Sequence, residues 1–78
     1  MSKLPSVSAR EVIKALRKAQ FVDAPTRGKG SHHALTKKEK DGTIRLVIVP
    51  ESKDMPTGTL TAIIKQAGLT RDEFLALL

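Results

Sequence analysis

The sequence contains no cysteine, tryptophan or tyrosine, and only two phenylalanines among its 78 residues. Each shortage removes a class of protein. Without cysteine there is no disulfide framework, no thiolate nucleophile and no cysteine-ligated zinc, the usual pattern of a reducing compartment. With Phe21 and Phe74 both needed for a small core, no aromatic platform is left on which splayed bases could stack. No apolar run approaches the roughly 20 residues that span a bilayer; Leu46-Val47-Ile48-Val49 is representative. The start, Met1-Ser2-Lys3-Leu4-Pro5, lacks the apolar stretch of a secretory signal. A cytoplasmic protein is therefore expected. Acidic residues are also scarce, with 8 Asp and Glu against 14 Lys and Arg, a net charge of +6.

That charge is unevenly placed. Residues 1–50 hold 11 Lys and Arg against 4 Asp and Glu, and residues 51–78 hold 3 against 4. A basic portion beside a near-neutral one suggests a surface for a polyanion, although solubility alone would give the same count. No segment pairs a basic face with large aromatics, which argues against a membrane surface. The length allows one domain, residues 1–78. A chain this short buries only about 60% of the surface its unfolded form exposes, so its stability margin is thin.

Ser8-Ala9-Arg10-Glu11 has the spacing of a capping box and predicts a first helix with Val12, Ile13, Leu16 and Ala19 on its apolar stripe. At about 100° per residue, Arg10, Lys14 and Arg17 align as a basic ridge, either a solvated face or a track for phosphates. Phe21-Val22 opens a short first strand. Gly28-Lys29-Gly30-Ser31 reads as a turn in which glycine permits positive φ. It is not a Walker loop, which needs two glycines five apart with Lys and Ser or Thr directly after the second. His32 to Lys37 reads as a second strand, and Lys38 to Gly42 as a polar connection ending in Asp-Gly. Thr43 to Val49 reads as a third strand stopped by Pro50. Thr57 or Thr59 is expected to cap a second helix buried through Leu60, Ile63, Ile64 and Ala67, and Gly68 to end it in the left-handed conformation. Thr70-Arg71-Asp72-Glu73 is a second capping box, opening a short last helix. Helix, three consecutive strands and two helices predict an α+β two-layer sandwich of the double-stranded-RNA-binding-domain kind: an antiparallel sheet with helices on one face and the other face open.

Adjacent in a strand, His32 and His33 must point to opposite faces, which makes joint chelation of one metal difficult. Leu35, the strand's one large apolar residue, should face the helices and take His33 with it, as a packed or rim residue. His32 then stands on the open face, directly after the basic turn that holds Arg27 and Lys29. Arg45 on the neighbouring strand has a parity that would let it share that face. A neutral imidazole there can accept the proton of a ribose 2′-hydroxyl while nearby cations stabilise a phosphorane, and such acid–base help contributes about 10²–10⁴-fold. Ser31 beside His32 does not make a nucleophile–base pair, since no acid is placed to orient it. The acids Glu39, Asp41, Glu51 and Asp54 lie scattered among loop lysines, a weak basis for metal-assisted cleavage.

Taken together, these segments resemble the HicA toxins, small mRNA interferases, over nearly the whole chain. The carrying residues are Arg10-Glu11-Val12-Ile13-Lys14-Ala15-Leu16, Gly30-Ser31-His32-His33, Val47-Ile48-Val49-Pro50, Gly58-Thr59-Leu60, Ile63 to Thr70, and Glu73-Phe74. No single piece is specific; their order and spacing are. The resemblance implies a double-stranded-RNA-binding-like fold and RNA cleavage by the histidine of Gly-Ser-His, here His32. It also implies a HicB-type antitoxin covering the active face. Contacts to mRNA are expected from Arg10, Lys14, Arg17, Arg27, Lys29, Ser31 and Arg45, with no cofactor. Many relatives carry a second histidine two residues after the proline that ends the third strand, and here that position is Ser52. A non-catalytic RNA-binding module, or a module docking an acidic protein, would share the same charge and fold.

Overall fold

The computed structural model describes residues 4–24 and 32–78. The elements run α1 (Ala9–Lys18), β1 (Val22–Asp23), β2 (His32–Lys38), β3 (Ile44–Pro50), α2 (Thr57–Gln66) and α3 (Arg71–Leu77). The strands form one antiparallel sheet in the order β1-β2-β3. Both α1 and α2 pack on β3, and α3 closes against the two of them. This is the expected α+β arrangement. Among the described residues no helix is long and apolar enough to cross a membrane.

Local chemistry explains most boundaries. The Ser8 hydroxyl accepts from the Glu11 amide at 3.2 Å, and the Glu11 carboxylate accepts from the Ser8 amide at 2.9 Å. Thr70 and Glu73 repeat the exchange at the start of α3. Each box satisfies amides that a helix start leaves without partners. The expectation for α2 is corrected: its cap is Pro56, with no side-chain cap bond, and neither Thr57 nor Thr59 serves. Pro56 already sits at φ −59°, and its carbonyl takes the first helical bond, from Leu60. The proline therefore starts the helix where a threonine would have capped it. The connection after β2, which begins at Glu39 since Lys38 is the last strand residue, closes with Gly42 at φ 93°. There the Thr43 amide and hydroxyl hold the Asp41 carboxyl below the usual carboxylate range.

The core lies between the sheet and the helices. Val12, Leu16, Phe21, Leu35, Val47, Val49, Leu60, Ile63 and Phe74 are all buried there. Two backbone bonds tie the loop after β3 to the segment before α1: Ala9 N–H to the Ser52 carbonyl and Met55 N–H to the Val7 carbonyl, both 2.8 Å. Ser6 and Asp54 add a side-chain hydrogen bond to the same clamp. This clamp brings Glu51 beside the outer face of α1. On the open face of the sheet the aliphatic residues Val22, Ile44, Leu46 and Ile48 remain exposed.

One position runs against local preference. Gln20, just past α1, sits at φ 78°, while the Phe21 amide reaches back to the Leu16 carbonyl at 3.0 Å. That is a left-handed helix end of the kind glycine usually fills. The equivalent residue after α2 is indeed a glycine, Gly68, at φ 73°. The left-handed conformation costs a non-glycine residue about 1–2 kcal/mol, and glycine gives back part of that through its freer unfolded chain. Gln20→Gly should therefore raise stability by about 0.5–1 kcal/mol, a melting point higher by some 2–6 °C in a domain of this size. A thermal melt checks this, and a lower melting point would contradict it.

Candidate functional site

Alternation along β2 puts His33, Leu35 and Lys37 on the helix-covered face, and His32, Ala34 and Thr36 on the other. Leu35 is fully buried against the helices, as its hydrophobicity requires. His33 pairs in register with Val49, so the residue two beyond, Glu51, is its diagonal neighbour on the same face. The His33 Nε2 and the Glu51 Oε2 stand 3.1 Å apart. Of the two places open to His33, packed or rim, it takes the rim, with its side chain 46% exposed.

Against this pair stands the outer face of α1. Arg10, Ile13, Lys14, Arg17, His33 and Glu51 together line a groove of about 390 Å³. The three cations expected to form a ridge do share one face, and it looks onto His33. They are not equivalent. Arg17 is held by both oxygens of Asp23, at 3.0 and 3.1 Å, which spends its charge on tying β1 to the helix. Both partners are more than half exposed, so the tie adds little stability. Arg10 and Lys14 have no ion pair among the described residues. The groove therefore offers two cations without ion pairs next to an imidazole that is hydrogen-bonded to a carboxylate. Such an arrangement can hold an anion and exchange a proton beside it.

The other expected residues fall elsewhere. His32 is exposed at the same end of β2, opposite Pro50, with its side chain toward the open face. Arg27, Lys29 and Ser31 lie outside the described residues. Arg45 is a correction: it pairs in register with Lys37, shares the helix-covered face, and so does not stand with His32. It lies five strand positions from Pro50, the partner of His32, roughly 17 Å away. There its guanidinium lies over Gly68 and its Nε is 3.4 Å from the Glu39 carboxylate. Parity counted from the buried Val47 and Val49 would have given this face. Ser52, where relatives carry histidine, is half-buried and accepts from the Asp54 amide at 3.2 Å. Glu51 is the residue that sequence reasoning missed, since it reads as one of four scattered acids. The signal was present in Val47-x-Val49-x-Glu51, a strand alternation carried one step past the proline. Among the described residues no three His, Cys, Asp or Glu side chains group as metal ligands would.

The sequence pattern of one family, HicA toxin of bacterial toxin–antitoxin systems, matches residues 9–69 of the chain. That stretch contains α1, the sheet, α2 and every residue of the groove. A comparison with curated proteins gives no match.

The groove makes a quantitative claim about charge. A polyanion bound along α1 should lose affinity steeply with salt, with log K against log salt falling at a slope near −2 to −5 if about three to five phosphates are neutralised. Arg10→Gln and Lys14→Gln should each make that slope shallower by about one. Arg17→Gln should change it less, because Asp23 already neutralises that charge. Titrating a labelled oligonucleotide at several salt concentrations checks the order, and a dominant effect of Arg17 would contradict it.

Proposed function

The chain belongs to the HicA toxin family of bacterial toxin–antitoxin systems, and we propose that it acts there as an mRNA interferase, an endoribonuclease using histidine acid–base chemistry in the cytoplasm. One observation carries this reading: two uncompensated cations, Arg10 and Lys14, stand at the sheet end from which both histidines of the chain project. RNA is held through its phosphates by Arg10 and Lys14, with Arg17 beside them and Arg27, Lys29 and Ser31 contributing from the sequence just before β2. Arg45 is too far from this end to join them. His32, the histidine of Gly-Ser-His, moves a proton in the cleavage step, and the surrounding positive charge stabilises the phosphorane. With no aromatic residue to stack bases, recognition rests on phosphates and shape, and sequence selectivity is modest.

Removing the His32 imidazole should slow cleavage by at least about 100-fold. An exposed strand side chain matters little for folding, so His32→Ala should melt within about 0.5 kcal/mol of the parent. Cleavage should also survive EDTA, since the described carboxylates are not grouped to hold a metal. Single-turnover cleavage of an mRNA transcript, with and without chelator, checks both points. Activity lost in EDTA and restored by Mg²⁺ would move the chemistry to a metal. A parent chain that binds the transcript but never cuts it would leave a non-catalytic RNA-binding module.

Membership of a toxin–antitoxin family implies a cognate antitoxin. We place a HicB-type partner on the open face around His32, where Val22, Ile44, Leu46 and Ile48 stay exposed. Apolar surface of this kind gains most from a protein partner, and fully covering one such side chain is worth about 1.5–3 kcal/mol. Leu46→Asp should therefore weaken the toxin–antitoxin complex by about 10–100-fold while leaving RNA cleavage near the parent rate. Calorimetric titration with the antitoxin measures this, and unchanged affinity would put the partner elsewhere.

A further inference from the structure

We propose that His33 is a second catalytic residue, the base of the cleavage step, with Glu51 as the residue that positions it. The proposal rests on the ribonuclease reading above and deepens it, since a single histidine supplies only one of the two proton transfers the reaction needs. The geometry is that of a carboxylate–imidazole pair at the wall of a groove lined by cations. Glu51 at 3.1 Å accepts the Nε2 proton of a neutral His33, which fixes that tautomer and leaves the Nδ1 lone pair without a partner among the described residues. A carboxylate in this place also stabilises the imidazolium once a proton has been taken up. Glu51 lines the groove too, where a carboxylate opposes an anion and serves no phosphate cradle. Its hydrogen bond to the ring gives it a use, which is to orient the base. Arg10 and Lys14 line the same groove and supply the charge for the phosphate itself.

In the step that follows, the ribose 2′-oxygen forms its bond to phosphorus and gives its proton to Nδ1 of His33. The bond from phosphorus to the 5′-oxygen breaks, and that oxygen leaves with a proton from His32. The products are a 2′,3′-cyclic phosphate and a 5′-hydroxyl, with one proton gained by His33 and one lost by His32. In-line displacement asks for base and acid on opposite sides of phosphorus. Consecutive residues at the start of a strand, directed to opposite faces, provide two exposed imidazoles flanking its rim.

The test uses the full chain, a mixed-sequence mRNA transcript for cleavage, and a 2′-O-methyl oligonucleotide, which this route cannot cut, for binding. His33→Ala should cleave at least about 100-fold more slowly while binding the methylated RNA within about threefold of the parent. Glu51→Gln keeps a hydrogen-bond acceptor but not the charge, so it should lower kcat by about tenfold or more at little-changed KM. Glu51→Asp should recover part of that loss. The parent's products should carry cyclic phosphate ends. His33→Ala cutting at the parent rate would overturn the proposal and leave the ribonuclease reading standing. A parallel loss of rate and binding in His33→Ala would also overturn it, making the groove a phosphate cradle alone. A parent chain that binds RNA without cutting it would overturn the reading beneath both.

Discussion

Leu35 is fully buried between the sheet and the helices, and side chains on a strand alternate, so its placement fixes the direction of every other residue of β2. A slip of one residue would expose Leu35 and drive His32, Ala34 and Thr36 against the helices. Losing one buried leucine costs about 1.5–3 kcal/mol before any penalty for burying an imidazole without a partner. In a domain of 78 residues that is a large share of total stability. The register is therefore not negotiable, and the two histidines inherit different surroundings from an apolar residue that takes no part in chemistry. His33 meets α1 and Glu51, and His32 meets the open face.

Charge is sorted by the same geometry. At one end of the sheet Lys37 and Arg45 share the Glu39 carboxylate at 4.0 and 3.4 Å, and Asp41 lies nearby in the turn. On α1 Arg17 is committed to Asp23. Arg10 and Lys14, toward the opposite end, have no ion pair among the described residues. The net charge of +6 thus says neither which cations are free for a polyanion nor where they lie. Pairing decides the first, and the clamp between Ala9 and Ser52 decides the second by bringing the loop after β3 against α1.

Much of this was legible in the sequence because it is local. Both capping boxes, the left-handed Gly68, the strand order and the faces of Leu35 and the histidines follow from spacing and alternation. The basic ridge of α1 followed from helical periodicity. What escaped depends on relations between elements. Pro56 displaced the threonines as the cap of α2 because its carbonyl was already in position to take the first helical bond. Arg45 changed face because its parity relative to His32 depends on the register between β2 and β3, in which it pairs with Lys37 on the face of Val47 and Val49. Glu51 was hidden because a proline suggested that alternation had stopped, whereas Pro50 is the last strand residue and the pattern runs one position further. No periodicity within α1 could have shown which side chain its cations would face.

The separation of the two faces bears on how such a protein is restrained. The open face is aliphatic and its exposed members lie on β1 and β3, whereas the groove is ionic and built from α1, β2 and the loop after β3. A partner seated on the open face reaches His32 directly, but it must wrap the end of the sheet to reach His33. If cleavage needs both imidazoles, covering the first is enough to stop the reaction while the groove stays free to hold a phosphate. Inhibition and RNA binding would then be separable. Apolar burial would give the antitoxin complex its affinity, with little dependence on salt, while the groove would keep the steep salt dependence of phosphate contacts. Were the partner instead to fill the groove, its affinity would follow the salt dependence of RNA, and the two would compete. The division of one small sheet into an aliphatic side and an ionic side is what allows the first arrangement, and it comes from strand alternation around a single buried leucine.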